Sequence, residues 1–292
     1  MDARVARLLD AHAAAGRYVE VGGVRTFVRD VGAGPSVLLL HGVPVSSYLW
    51  RNVLGELAGR GLRGIAPDLP GLGLSERPEG FDYSWSGLGR HVGELIREMG
   101  LERVHLVVHD IGGPVGFEAV AADPGRIASL TVLDTVVAAS SFRKPWSMRP
   151  IEVPGVNRIW LAGARGPVFR ALMRRIGLAA DTSVTGAEID VHRALLTRGD
   201  GGRAFLRIMR SFETTPEKER LYRGVLGAHE YPVQVVWARD DPALTLTKHG
   251  RQAAEAAGLA APDVVAGRHF FPEDSAPAIA DRIAALVERA QS

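Results

Sequence analysis

The chain has no cysteine among its 292 residues. Disulfides, thiolate metal sites and a cysteine nucleophile are therefore excluded. No apolar run is long enough for a membrane span. Residues 1–16 read as a short amphipathic helix, in which Arg4, Arg7 and Asp10 interrupt the apolar stretch a secretory leader needs. The expectation is a soluble cytoplasmic protein. Charge is nearly balanced, at +2 overall, and the basic residues form no tail. Nothing here asks for nucleic acid. One local imbalance remains. Between Arg143 and Arg175 there are eight basic residues and a single acidic one, Glu152. A solvated helical surface explains this most simply; attraction of anionic substrates is the sharper alternative.

What the chain does have is apolar bulk, 46% of its residues. That suffices for one large α/β domain, or for a core with an inserted subdomain. Residues 18–21 and 24–31 read as strands turning at Gly22-Gly23, a hairpin signal. Short apolar runs at 36–40, 62–66, 104–108, 129–133, 233–237 and 263–265 read as further strands. Leu88, Val92, Leu95, Ile96 and Met99 repeat at helical spacing, as do Ile279, Ile283, Leu286 and Val287. Strands alternating with helices predict a mostly parallel sheet covered on both faces.

The alternation breaks between about 138 and 222. Phe169, Leu172, Met173 and Ile176 form one helical stripe; Phe205, Ile208, Met209 and Phe212 form another. Thr185 with Glu188 fits a capping box, and Thr215-Pro216 an N-cap with its first helical residue. The reading is a core over 1–137 and 223–292, with a helical lid over 138–222 inserted in it. The stripes are expected to pack within that lid.

In open α/β sheets ligands bind beyond the carboxyl ends of the strands. His41, Asp68, Asp110, Asp134, Asp240 and Asp241 stand at such ends, and His269 follows the last strand. Any one alone would more often cap a helix or close a turn. The run Val108-His109-Asp110-Ile111-Gly112-Gly113 lies between a strand and a helix start. That is the setting of a nucleophile elbow, here carrying aspartate instead of serine. The order Asp110, then Asp241 or Asp134, then His269 is nucleophile, acid, histidine.

With these residues in place, the chain resembles the α/β-hydrolase superfamily, and within it the haloalkane dehalogenases and epoxide hydrolases that use an aspartate nucleophile. The resemblance covers nearly the whole chain. It rests on His41-Gly42-Val43-Pro44 with Ser46-Ser47-Tyr48-Leu49-Trp50-Arg51-Asn52, on the 67–75 stretch beginning Pro67-Asp68, and on Gly267-Arg268-His269-Phe270 followed by Glu273-Asp274. It implies an α/β-hydrolase fold and an oxyanion hole from the backbone N–H groups of Val43 and Ile111. It places the acid at Asp241 after the strand that follows the lid, with Asp134 as the alternative position. No cofactor or metal is called for. The implied partners are water and a small apolar or amphipathic organic substrate; the oligomeric state stays open.

An aspartate attacking a saturated carbon gives an alkyl ester, which a histidine-activated water then hydrolyses. Attack on an acyl group would give an anhydride, so esterase chemistry ranks low. Dehalogenases of the resembled branch hold the halide with Asn and Trp where this chain has Val43 and Ile111, neither of which has a side-chain donor. Epoxide hydrolases donate to the departing oxygen from lid tyrosines, and Tyr222 is the candidate here. His192, Trp146, Trp160 and His41 are further candidates for contact with substrate. Epoxide hydrolysis is therefore the first expectation and haloalkane dehalogenation the second. A third, from another class, is a small-molecule receptor or a lyase on the same fold.

Overall fold

The computed structural model describes residues 2–144, 166–228 and 230–291, with positions 148, 151, 153, 157, 161 and 163. Eight strands form one sheet in the order β1-β2-β4-β3-β5-β6-β7-β8. They are β1 (Gly16–Val21), β2 (Val24–Val31), β3 (Ser36–Leu40), β4 (Arg63–Pro67), β5 (Val104–Asp110), β6 (Ile127–Thr135), β7 (Val233–Ala238) and β8 (Asp263–Val265). β1 pairs antiparallel with β2, and β2 with β4; every other pairing is parallel. The β1–β2 turn is made by Gly22 and Gly23, at φ 55° and 77°. Both are left-handed, as the tight turn of a twisted hairpin requires.

The helices are α1 (Ala3–Ala14), α2 (Arg51–Gly59), α3 (Trp85–Glu98), α4 (Gly112–Ala122), α5 (Gly166–Ile176), α6 (Gly186–Thr197), α7 (Arg203–Arg210), α8 (Pro216–Gly227), α9 (Arg251–Ala256) and α10 (Ala276–Gln291). α2 packs against α10, while α3, α4 and α8 pack together. The central strands are accordingly buried along nearly their whole length; every residue of β6 is buried. This is why they read as continuous apolar runs. Helices α5 to α8 all lie in the connection between β6 and β7. The Thr185–Glu188 capping box is formed in full, and the Thr215 hydroxyl accepts the Lys218 N–H at 3.3 Å. Among the described residues no helix is long and apolar enough to cross a membrane.

Candidate active site

Asp110 ends β5 in a left-handed conformation, φ 54°, which a non-glycine residue adopts only under strain. The surroundings are cut to fit this turn. A side chain at Gly42 would overlap the Asp110 carboxylate, and one at Gly113 would overlap the Thr135 hydroxyl. One at Gly112 would come within 2.6 Å of the Leu40 carbonyl. The Thr135 hydroxyl donates to the Asp110 carbonyl at 2.5 Å. The turn is thus pinned from β3, β6 and the start of α4 at once.

The Asp110 side chain receives the Val43 N–H at 2.7 Å on Oδ1. Its Oδ2 lies 3.4 Å from Nε2 of His269. On the far side of that ring, Nδ1 donates to Asp241 Oδ2 at 2.7 Å. Asp241 is buried, and its Oδ1 accepts the Ala243 and Leu244 N–H groups at 2.6 and 2.9 Å. Asp240, the neighbouring register, is exposed. His269 is held from below, where His109 Nε2 donates to its backbone carbonyl at 2.8 Å. The 268–274 loop is also tied to the β6–β7 connection. Phe270 N–H donates to the Gly177 carbonyl at 2.8 Å, and Arg268 to the Arg174 and Arg175 carbonyls.

Electrostatics follow from this chain of groups. Burial opposes ionisation of Asp110, but the hydrogen bond and charge of His269, the proximity of His109 and the Val43 N–H outweigh it and hold its pKa below the usual value. Burial likewise opposes protonation of His269. Asp241 and Asp110 on its two sides overcome that and raise its pKa well above the ordinary value. Asp134 is the opposite case. Burial and the adjacent Asp241 charge raise its pKa far above a normal carboxyl. Its Oδ1 accepts the Ala238 N–H at 2.9 Å. Its Oδ2 has no partner that can donate, as suits a carboxyl that keeps its proton. The carboxyl hydrogen-bonded to Nδ1 of His269 is thus Asp241, and Asp134 stands behind it. Among the described residues, Asp134, Asp241 and His269 form the group whose donor atoms lie within 4.8 Å of one another, close enough to share a metal ion. Asp241 and His269 already satisfy each other and Asp134 is neutral, so the set fits a proton-holding relay better than a metal cage.

Asp110 and His269 open onto a cavity of about 80 Å³, almost wholly apolar, with Val43 and Ile111 beside them. Room of that size suits a slender organic molecule with a few waters. The opposite wall comes from α5 and α7. Phe169, Leu172, Met173 and Ile176 line it, with Phe205, Met209 and Phe212. The two stripes expected to pack within the lid therefore face the cavity. Ile208 is the exception, buried but not in the lining.

Three expected substrate contacts are not there. Tyr222 is fully buried between Trp85 and Phe117, its hydroxyl donating to Glu118 at 3.1 Å on α4. α8 docks on the core, so its tyrosine faces inward. His192 is turned the same way, with Nε2 2.9 Å from Glu273. His41 donates from Nδ1 to the Gly42 carbonyl at 2.8 Å and accepts the Leu69 N–H at 3.1 Å. Burial lowers its pKa and keeps it neutral; it props the loop that carries Val43. Asp68 closes the same region, accepting Ser47 and Leu74 N–H groups at 2.7 Å each. Trp146 and Trp160 lie outside the described residues.

Other residues were given no role from the sequence. Arg193, Leu196 and Thr197 of α6 line the cavity, as do Lys144 and Phe270. The signal for the α6 group was their one-face spacing, three and four apart. Glu273 is buried and bonded to Arg51 at 2.7 Å as well as to His192. The motif that follows His269 included Glu273, but nothing in it gave the residue a role.

Over residues 35–274 the chain matches the α/β hydrolase fold family. It is 31% identical over 269 residues to a haloalkane dehalogenase of Mycolicibacterium paratuberculosis, spanning 86% of this chain and 82% of that one. Among solved structures, Cfl2 of Burkholderia cenocepacia superimposes with a TM-score of 0.77 at 26% identity, covering 92% of this chain and 94% of the other. Epoxide hydrolase VrEH1 of Vigna radiata gives a TM-score of 0.75 at 25% identity, covering 94% and 97%.

Proposed function

The chain belongs to the α/β-hydrolase fold family, in the branch that includes haloalkane dehalogenases and epoxide hydrolases, and we propose that it hydrolyses a small organic electrophile through an ester formed on Asp110. The observation that carries this reading is the Asp110–His269 pair, with Nε2 3.4 Å from Oδ2 and the carboxylate facing an apolar cavity.

Asp110 attacks a saturated carbon from within the cavity. A carbon–oxygen ester bond forms as the bond to the leaving group breaks. Alkylation removes the negative charge of Asp110, which had helped to keep His269 protonated. The imidazole then gives up its proton more readily and can act as a base. It takes a proton from water as that water attacks the ester carbonyl. The oxyanion formed is met by the Val43 N–H, already aimed at Oδ1, and by the Ile111 N–H at the start of α4. On collapse the imidazolium returns its proton to the departing oxygen, so the alcohol leaves, and it takes up the proton that the new Asp110 carboxyl sheds, which restores the carboxylate. Asp241 steadies the imidazolium throughout. Helices α5 to α7 serve as the lid that keeps bulk water out.

Among electrophiles the reading is an epoxide. The departing oxygen needs an acidic hydrogen, and Tyr222 is not placed to give it. Lys144 lines the cavity, and an ammonium is about as acidic as the phenol it would replace. The side chains beside Asp110, Val43 and Ile111, offer a leaving halide no donor. Halide release is the second reading, favoured by the name of the Mycolicibacterium relative. Styrene oxide and 1-bromohexane, each assayed for product and for free bromide, separate the two. Diol without bromide supports the epoxide; bromide release from the bromoalkane at a higher kcat/KM overturns it.

A further inference from the structure

Arg193 is out of keeping with the cavity it lines. Several arginines near the β6–β7 connection pair with carboxylates: Arg170 with Asp190, Arg51 with Glu273 and Glu188, and Arg77 with Asp200 at 3.5 Å. Among the described residues Arg193 has none, and its Nε is buried without any hydrogen-bond partner. A buried guanidinium donor left unsatisfied in apolar surroundings is costly. The cost makes sense where a ligand supplies the acceptor. Arg193 shares its wall of α6 with Leu196 and Thr197, and shares the cavity with Asp110 and His269.

We propose that Arg193 is the anion-binding residue of this cavity and that the substrate is an amphipathic carboxylic acid, its carboxylate on Arg193 and its electrophilic carbon at Asp110. The planar guanidinium fork matches a carboxylate. The fork presents parallel donors enough for one carboxylate; a phosphate dianion would ask for more. The apolar faces of α5 and α7 then enclose the carbon chain between the two ends. The inference deepens the hydrolase reading and rests on it for the second half of the substrate alone.

The test compares octanoate with octanamide, a neutral isostere, by equilibrium binding to the full chain. Neither has an electrophilic carbon, so the result does not depend on the chemistry at Asp110. Wild type should bind octanoate more tightly, and the ratio of acid to amide affinity should collapse in Arg193→Met by on the order of 10- to 100-fold, the worth of a charge-assisted hydrogen bond. Arg193→Lys should recover part of the ratio, since it restores charge without the fork. Equal binding of acid and amide to wild type, binding of neither, or an unchanged ratio in Arg193→Met would each overturn the proposal. A failure of the epoxide assay with a positive acid-to-amide ratio would instead condemn only the hydrolase reading.

Discussion

Nε2 of His269 lies 3.4 Å from Oδ2 of Asp110, while its Nδ1 is hydrogen-bonded to Asp241 at 2.7 Å. The ring is therefore clamped between two carboxylates, only one of which can be esterified. Esterifying Asp110 lifts one of the two charges that raise the histidine's pKa. Asp110→Asn should reproduce that effect without substrate. The imidazole should titrate at lower pH in the variant than in wild type, as followed by NMR of the ring protons, and turnover should vanish while the fold persists. An unchanged His269 titration would show that Asp110 does not govern it.

Replacing His269 isolates the second step. In His269→Gln the ester can form but no base activates water, so the enzyme should stall after one equivalent of substrate. Mass spectrometry should find the substrate's added mass on the peptide that holds Asp110. An adduct on any other peptide would refute the nucleophile.

The two buried acids behind His269 should differ sharply. Asp241→Asn removes the charge that stabilises the imidazolium, and kcat should fall on the order of 10³- to 10⁴-fold, as in comparable triads. Asp134 is held neutral by burial and by Asp241. Its carboxamide replacement can still donate toward Asp241 and accept from Ala238, so Asp134→Asn should change kcat by less than about tenfold. The reverse order of effects would exchange their roles.

Glu273 joins the 268–274 loop to α2 through Arg51 and to α6 through His192. Burial alone would raise its pKa; the His192 hydrogen bond and the Arg51 charge outweigh that and lower it. A carboxylate with a depressed folded pKa contributes stability that is fully present above its ordinary value of 4.5 and is lost as pH falls through the folded value. Glu273→Gln should cost about 3 kcal/mol at neutral pH, because Arg51 loses a buried partner. It should also flatten the acid limb of stability against pH in urea titrations. Parallel acid limbs in wild type and variant would dismiss the linkage.

Legibility in the sequence followed chain direction. Strand ends are local features, and Asp110, Asp241 and His269 could be placed at one edge of the sheet because parallel strands deliver their carboxyl ends together. The choice between Asp241 and Asp134 was not local. It depends on which carboxyl reaches Nδ1 of His269, a matter of two loops meeting. The connection between β6 and β7 was harder still. Its helices and caps were legible, but which face of each helix meets the core is set by docking. That is why Tyr222 and His192 turned inward, while Arg193, one residue from His192, lines the cavity.

The inward turn of Tyr222 has a direct consequence for catalysis. Burial and the Glu118 charge push the pKa of its phenol up. A weaker acid, already committed to Glu118, has no proton to offer a departing alkoxide. Tyr222→Phe should therefore leave kcat on styrene oxide within about twofold, while costing about 1 kcal/mol of stability for the lost hydrogen bond. Thermal melting and steady-state kinetics on the same preparation separate the two effects. If kcat instead fell by a factor of ten or more with the melting temperature unchanged, the tyrosine would have to swing into the cavity during turnover, and Lys144 would lose its place as the acid.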